Sequence, residues 1–242
     1  MSFSVLDRLI ELETAVSHTT FAPKGERPFT HHLGHLPILI SAPHATAHQR
    51  HQSLKKEEGF TGALAHLLAE MSGAHALYTR FRSLDDPNWD KNSPYKTQLN
   101  AIVGRHGIRF VVDLHGMSDK HGIGVALGSM NGRSCPNHEP LILQTVRQHL
   151  TETCEETAES FPELHWNHFV HNHSRFTGGV VSHTITRFAS QKLGVPALQI
   201  ELCTAVRVVR KRPSTDPSPT DEPILQTVAM LQHLVCTLAE NL

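Results

Sequence analysis

The sequence has no surplus of charge of either sign. It contains 22 lysine and arginine residues and 23 aspartate and glutamate residues, so its formal net charge at pH 7 is -1. Proteins that bind nucleic acid or an anionic membrane surface through their overall charge are strongly basic. The composition therefore predicts neither nucleic acid nor a membrane as a partner, and we expect a small molecule instead.

Cysteines and long apolar runs are also scarce. The four cysteines are Cys135, Cys154, Cys203 and Cys236, and no two of them form a Cys-x-x-Cys pair. Such spacing is typical of reduced cysteines in a cytosolic protein. The N-terminus has no apolar core of signal-peptide length, and no later stretch reaches the ~18 apolar residues of a membrane span. These observations predict a cytoplasmic protein.

Short apolar runs alternate along the chain with segments of helical periodicity. This alternation predicts an α/β fold, with a mostly parallel mixed sheet and helices on both faces. A chain of 242 residues is long enough for one substantial domain, so we expect residues 1–242 to form a single domain. Strands are predicted over 36–44, 74–81, 108–116, 122–128, 165–170 and 195–202, and helices over 5–12, 61–73, 94–105, 139–156 and from 222.

The run over 108–116 indicates a buried strand that ends on polar residues. Val111 and Val112 favour the pleated conformation, and the run has no helical period. Side chains alternate along a strand, so Asp113 and His115 point to the same face. An imidazole at the carboxyl end of a strand in an α/β sheet lies where such folds bind ligands.

A second apolar run, over 36–44, ends on His44 in the same way, and Glu58 lies just before the next predicted helix. Two histidines and one carboxylate leave a bound zinc ion with an open coordination position. An acid at a helix start is also favourable without any metal, which is the alternative interpretation of Glu57 and Glu58. The chain contains 20 histidines, so a single imidazole says little by itself.

Five short motifs occur in the order found in one family of enzymes. They are Ser-Ala-Pro-His at 41–44, Lys-Glu-Glu-Gly-Phe-Thr-Gly at 56–62, Asp-Leu-His-Gly at 113–116, Arg-Phe-Thr-Gly-Gly at 175–179 and Gln-Ile-Glu at 199–201. In these motifs the chain resembles the N-formylglutamate amidohydrolase family, which is similar in fold to the zinc carboxypeptidases. The resemblance extends from about residue 37 to residue 202.

The resemblance implies one zinc ion per chain, held by His44, Glu58 and His115, with Glu201 as the general base. Glu57 is a rival for the acidic ligand. These roles agree with elementary chemistry, since zinc polarises a carbonyl and lowers the pKa of its bound water while a carboxylate moves the proton. Glu201 ends an apolar strand, where a carboxylate is uncommon without a function. The alternative is an ion pair between Glu201 and Arg207.

Three residues are candidates for substrate binding. Arg175 can hold a carboxylate through two parallel hydrogen bonds, and Gly178 allows a backbone amide to approach the substrate. Arg82 precedes the segment 85–90, which stands where the family carries an Asp-Leu-Asn-Arg type sequence. That departure leaves the substrate itself open. The alternatives are surface arginines and a simple glycine turn.

Taken together, these features predict a zinc-dependent hydrolase that cleaves a formyl, acyl or peptide-type amide in a small anionic substrate. The alternative is a non-catalytic protein that binds metal or ligand on the same scaffold, but such a protein has no need of an acid like Glu201. Two further groups of histidines are interpreted as pocket lining or solvated surface. They are His165, His168, His171 and His173, and separately His31, His32 and His35.

Overall fold

The computed structural model describes residues 4–154, 163–180, 182–209 and 221–242. Its strands are β1 (Ser17–Phe21), β2 (Phe29–His32), β3 (Ile38–Ala42), β4 (His48–Arg50), β5 (Ser53–Lys55), β6 (His75–Thr79), β7 (Phe81–Arg82), β8 (Phe110–Gly116), β9 (Ile123–Gly128), β10 (Thr151–Glu152), β11 (His165–His171) and β12 (Ala197–Leu202). Its helices are α1 (Val5–Thr14), α2 (Thr61–Ser72), α3 (Pro94–His106), α4 (Glu139–Arg147), α5 (Ile185–Lys192), α6 (Thr204–Arg207) and α7 (Glu222–Glu240).

Local sequence signals set the ends of the longer helices. The hydroxyl of Ser93 accepts a hydrogen bond from the amide of Lys96, and Pro94 occupies the first turn of α3. Gly107 ends α3 at φ +62°, and Gly73 ends α2 at φ +84°. Both glycines adopt the left-handed conformation that a residue with a Cβ rarely tolerates.

An eight-stranded sheet in the order β10-β11-β9-β12-β8-β3-β6-β2 forms the centre of the protein. The four neighbouring strands β12, β8, β3 and β6 are parallel to one another. At one side β2 runs antiparallel to β6, and at the other side β9 runs antiparallel to β12. The carboxyl ends of the four parallel strands therefore meet at one edge of the sheet, and their amino ends meet at the opposite edge.

Alternate residues of the parallel strands supply two hydrophobic cores, one on each face of the sheet. Phe110, Val112 and Leu114 of β8 belong to the core that also contains α1, α2, α4 and α7. Val111 belongs to the core on the other face, which contains α3 and α5. Since side chains alternate along a strand, Asp113 and His115 lie on the α3 and α5 face.

The predicted α/β class, the mostly parallel mixed sheet and the helices on both faces are confirmed. The helix predicted over 139–156 was too long, since α4 ends at Arg147. Leu150 is buried instead, and Thr151 and Glu152 pair with β11. The burial of Leu150 and the strand pairing of Thr151 and Glu152 therefore outweigh the helical periodicity of this segment.

Several short strands were not predicted, namely β1, β2, β4, β5, β7 and β10. The polar, proline-rich run over 213–219 is typical of an exposed loop, but it lies outside the described residues. The single-domain organisation stays a prediction. None of the four cysteines forms a disulfide bond. Among the described helices, none is long and apolar enough to cross a membrane.

Candidate metal centre

The carboxyl edge of the sheet brings together residues that are far apart in sequence. His44 follows β3 by two residues, His115 is the last but one residue of β8, and Glu201 is the last but one residue of β12. Glu58 lies in the loop before α2, where its amide donates a hydrogen bond to the carbonyl of His44 at 2.8 Å. The strand ends and this single loop thus converge on one point.

The two imidazoles face the same carboxylate. Nδ1 of His44 lies 3.0 Å from Oε1 of Glu58, and Nδ1 of His115 lies 3.0 Å from Oε2 of Glu58. One ligand atom from each of the three side chains lies within 4.8 Å of the other two. The neighbouring Glu57 is exposed. Of the two acids that the sequence left open, Glu58 is the one that faces both imidazoles.

The outer nitrogens of the imidazoles have polar neighbours of their own. Nε2 of His44 lies 2.8 Å from Oδ1 of Asp86. Nε2 of His115 lies 2.8 Å from the side-chain nitrogen Nδ2 of Asn88, which is a donor, and 3.3 Å from Oδ1 of Asp113. A carboxylate at the outer nitrogen, as Asp86 provides for His44, is typical of metal-binding histidines because it fixes the ring and its tautomer.

One unsatisfied atom supports a cation between the inner nitrogens. Oδ1 of Asp113 is buried and has no hydrogen-bond partner among the described residues. Nε2 of His115 lies 3.3 Å from this oxygen, so an unpaired carboxylate oxygen places negative charge beside the ring that would carry a cation. Imidazole and carboxylate are also the ligands that zinc accepts in proteins. His44, Glu58 and His115 therefore fit a zinc ion.

The electrostatic field at this point favours positive charge. Burial lowers the pKa of His44, but the carboxylates of Glu58 and Asp86 outweigh it and raise the pKa to about 9. Burial also opposes a charge on His115, yet Asp113 and Glu58 raise its pKa well above the usual value. Burial raises the pKa of Glu58, but the facing imidazoles outweigh this and lower it. A field that holds protons on the imidazoles also attracts a metal cation.

Glu201 lies beside the cluster on the neighbouring strand. It is the cross-strand partner of His115, so both side chains point to the same face of the sheet. Its Oε1 accepts a hydrogen bond from the amide of Gln199 at 2.6 Å. Burial raises the pKa of Glu201 to about 7. A carboxyl group with this pKa can take up and release a proton near neutral pH.

Arg207 holds the backbone around the cluster and forms no ion pair with Glu201 within the described part of the chain. Its Nε donates to the carbonyl of Leu202 at 3.1 Å, and its Nη1 donates to the carbonyl of Gly59. The guanidinium also packs against Gly116, where an added Cβ would lie 2.7 Å from Cζ of Arg207. Glycine is required here because the strand end, the Glu58 loop and Arg207 meet closely.

A second group of potential ligands overlaps the first. His44, His48 and Asp86 also place ligand atoms within 4.8 Å of one another. The buried Nε2 of His48 lies 3.5 Å from Oδ2 of Asp86 and has no hydrogen-bond partner among the described residues. However, Oδ2 of Asp86 already accepts a hydrogen bond from Nε of Arg50 at 2.5 Å. The group of His44, Glu58 and His115 is therefore the better candidate for a metal site.

The three predicted substrate-binding residues make no described contact with this cluster. Arg175 is exposed, and its backbone amide donates to Nδ1 of His173. Gly178, at φ +78°, packs against the backbone of Gly128, where an added Cβ would lie 2.5 Å from the carbonyl oxygen. The guanidinium of Arg82 lies 4.5 Å from the ring centre of Phe21. Their roles in substrate binding stay predictions.

The segment 83–90 contributes more to the site than its sequence indicated. Asp86 and Asn88 contact the two imidazoles, and Arg50 links Asp86 to the surface, where its guanidinium lies 5.3 Å from the ring centre of Trp89. The Asp-Asp-Pro-Asn sequence is typical of a turn, and that interpretation hid its second role. A useful signal is the position of the turn, because it follows a parallel strand at the ligand-binding edge.

Comparisons with known proteins give only distant similarities. No protein-family model and no curated protein sequence matches the chain. Among solved structures, a bacteriophage poly-gamma-glutamate hydrolase is 12% identical, with a TM-score of 0.44 over 90% of this chain and 92% of that chain. A metallo-carboxypeptidase from Burkholderia cenocepacia is 11% identical, with a TM-score of 0.44 over 92% of this chain and 60% of that chain.

A third similar structure belongs to another class of enzyme. The 5'-methylthioadenosine/S-adenosyl homocysteine nucleosidase of Campylobacter jejuni is 9% identical, with a TM-score of 0.35 over 86% of this chain and all of that chain. Because the three TM-scores are below 0.5 and the named activities differ, none of these similarities bears on what this chain does.

Proposed function

We propose that the chain is a zinc-dependent amide hydrolase resembling the N-formylglutamate amidohydrolases. In this proposal it cleaves an N-formyl, N-acyl or peptide-type amide of a small anionic substrate. The observation that carries the proposal is the arrangement of His44 and His115, whose inner nitrogens face Glu58 while their outer nitrogens face other polar groups. Glu201 supplies the acid that a metal-binding protein without catalysis does not need.

The proposed reaction is the attack of water on the amide carbonyl. When zinc is bound, it supplies a water molecule of lowered pKa and polarises the scissile carbonyl. Glu201 takes a proton from the attacking water as the new carbon–oxygen bond forms. It then returns that proton to the amide nitrogen, and the carbon–nitrogen bond breaks to give a carboxylic acid and an amine. The pKa of Glu201, raised by burial to about 7, suits both transfers.

Recognition of the substrate carboxylate requires a cationic group near the reacting carbonyl. Arg82 and Arg175 were the sequence-based candidates, and Arg50 joins them because its Nε is bonded to Asp86 beside His44. The side chain of Arg50 is 32% exposed, so part of its guanidinium faces solvent. A guanidinium in that position can hold one carboxylate while another orients it.

The first test measures zinc content and turnover on tag-free protein. We expect His115→Ala to lower the zinc content by about one ion per chain. We expect Glu201→Gln to keep the metal and to lower kcat by about 10²- to 10⁴-fold, since that is the usual contribution of a general base. Substrates are N-formyl and N-acetyl derivatives of glutamate and aspartate together with short peptides, and His66→Ala is the matched control.

Two outcomes contradict the proposal. If His115→Ala binds as much zinc as the wild type while His48→Ala loses it, the metal is held by the overlapping group of His44, His48 and Asp86. If zinc is retained but no substrate in the panel is hydrolysed, the chain is a non-catalytic metal- or ligand-binding protein.

A further inference from the structure

Three other imidazoles meet at the opposite edge of the sheet. His31 lies on β2, His75 is the first residue of β6, and His106 is the last residue of α3. One ligand atom from each ring lies within 4.8 Å of the other two. They come from three separate elements, so only the folded chain brings them together.

Their position follows from the sheet and from α3. His31 pairs with Leu77 across β2 and β6, and Leu77 and His75 are on the same face because they are two residues apart. That face carries α3, whose apolar residues pack on it. A helix of 13 residues is about 20 Å long. The loop after β7 and the candidate metal centre are near the start of α3, and the three imidazoles are at its end.

The separation of the rings suits one shared ion. Nε2 of His31 lies 3.2 Å from Nδ1 of His75. Two nitrogens bound to one tetrahedral zinc at 2.0–2.1 Å lie about 3.3 Å apart. The ring centre of His106 is 5.4 Å from that of His31 and 4.7 Å from that of His75. In the absence of metal, one proton between His31 and His75 forms a hydrogen bond, and a metal ion replaces it.

Burial disfavours a positive charge on the rings of His31 and His75. Burial, together with His75 and His106, lowers the pKa of His31 to about 4. Burial likewise lowers the pKa of His75, whose Nδ1 also receives a hydrogen bond from the amide of Gly34 at 3.3 Å. A metal ion on Nδ1 of His75 would replace this hydrogen bond and the one from His31.

Two features of the surroundings are compatible with a bound cation. The last carbonyl groups of α3 carry partial negative charge, and cations are stabilised near such a helix end. His31 and His106 also line a hollow of about 320 Å³, which leaves space for a fourth ligand. Arg27 and Arg105 line the same hollow and oppose a bare cation there, so we expect the fourth ligand to be a small anion that offsets their charge.

We infer that His31, His75 and His106 form a second metal site, which binds one divalent ion of the zinc class through three imidazoles. Three nitrogen ligands suit zinc, copper and nickel rather than calcium or magnesium. From its sequence His31 was interpreted as pocket lining or solvated surface, and the positions of His75 and His106 in the sequence do not suggest that they are its partners. The inference does not depend on the proposed hydrolytic function.

The test is a zinc titration of tag-free, chelator-treated protein, followed by calorimetry and elemental analysis. We expect the wild type to bind about two zinc ions per chain, and His106→Ala and His115→Ala to bind about one each. His32→Ala is the matched control, because His32 is adjacent on β2 but points to the other face, and it should bind about two. His106→Gln and circular dichroism check that a loss of zinc is not a loss of folding.

Each outcome has a separate meaning. If His106→Ala binds zinc as the wild type does, or if His32→Ala loses the second ion as well, the inference is overturned. A wild type that binds one ion, removed by His115→Ala alone, overturns the second site and leaves the proposed catalytic centre intact. A single ion that is removed by His106→Ala alone supports the second site and removes the metal basis of the proposed function.

Discussion

Two clusters of imidazoles lie on the same face of the sheet at opposite edges, and they differ in the groups around them. At the carboxyl edge, Glu58, Asp86 and Asp113 surround His44 and His115 and raise the pKa of both imidazoles. At the amino edge, burial lowers the pKa of His31, and the neighbouring histidines and Arg105 lower it further. The surroundings thus raise the histidine pKa at the carboxyl edge and lower it at the amino edge.

This difference separates two ways of building a metal site. The first cluster has its own negative charge, outer hydrogen-bond partners and a neighbouring buried acid, which are the parts that hydrolytic chemistry needs. The second cluster has three imidazoles and the C-terminal end of α3. Among the described residues it has no neighbouring buried carboxylate like that of Glu201. We therefore expect catalysis at the first cluster alone, with a structural or storage role for an ion at the second.

The largest of the remaining effects is expected from removing the outer carboxylate of the first cluster. Asp86→Asn keeps the shape of the side chain but removes the charge beside Nε2 of His44. Changes of this kind lower metal affinity by about 10- to 100-fold. Competition with a zinc chelator measures the loss, and the site proposed at His31, His75 and His106 provides the internal reference. Equal weakening of both ions would show that the clusters are not independent.

The next effect is the pH dependence of activity, which the proposed reaction links to Glu201 beside the first cluster. In the proposed reaction Glu201 acts as a base when ionised, so a raised pKa would move the loss of activity to higher pH. We expect log kcat/KM to fall by about one unit per pH unit on the acid side. Its midpoint should lie above the ordinary value of 4.5 and at or below about 7, since a bound cation lowers the pKa set by burial. Activity that persists unchanged below pH 4.5 would contradict this role of Glu201.

The smallest effect compares one glycine near each cluster. In Gly116→Ala the new Cβ lies 2.7 Å from the guanidinium of Arg207, which must give up hydrogen bonds to the backbone. We expect a loss of about 1–2 kcal/mol in the free energy of unfolding. Gly104→Ala, within α3 and two residues before His106, meets nothing within 4 Å and should raise it by up to about 1 kcal/mol. Chemical denaturation measures both, and a destabilised Gly104→Ala would indicate that α3 is strained.

The sequence predicted the sheet and the ends of its central strands well, because apolar runs such as 108–116 are unambiguous. It also predicted that His44, Glu58 and His115 would converge, and the described geometry brings their ligand atoms together, although their roles remain predictions. The choice between Glu57 and Glu58 needed coordinates, because adjacent residues in a loop can face opposite ways.

Other parts could not be read from local patterns. Asp86 and Asn88 look like turn residues until the turn is placed beside two imidazoles. His75 and His106 are 31 positions apart and belong to a strand and a helix, so nothing in their spacing connects them with His31. Such sites form when packing brings together residues that are distant in sequence. A single sequence indicates this only where it contains the motifs of a known family.

The hydrogen bond from the amide of Gly116 to Oε2 of Glu58, at 2.9 Å, has a consequence for how the protein matures. This bond and the two facing imidazoles give the carboxylate of Glu58 partners within the chain itself, so we expect folding not to require a metal ion. Under the proposed function, folding and metal binding would then be separate events, unlike those of small domains that fold only when metal binds. A preparation made in metal-poor medium should therefore be folded, inactive and restored by adding zinc.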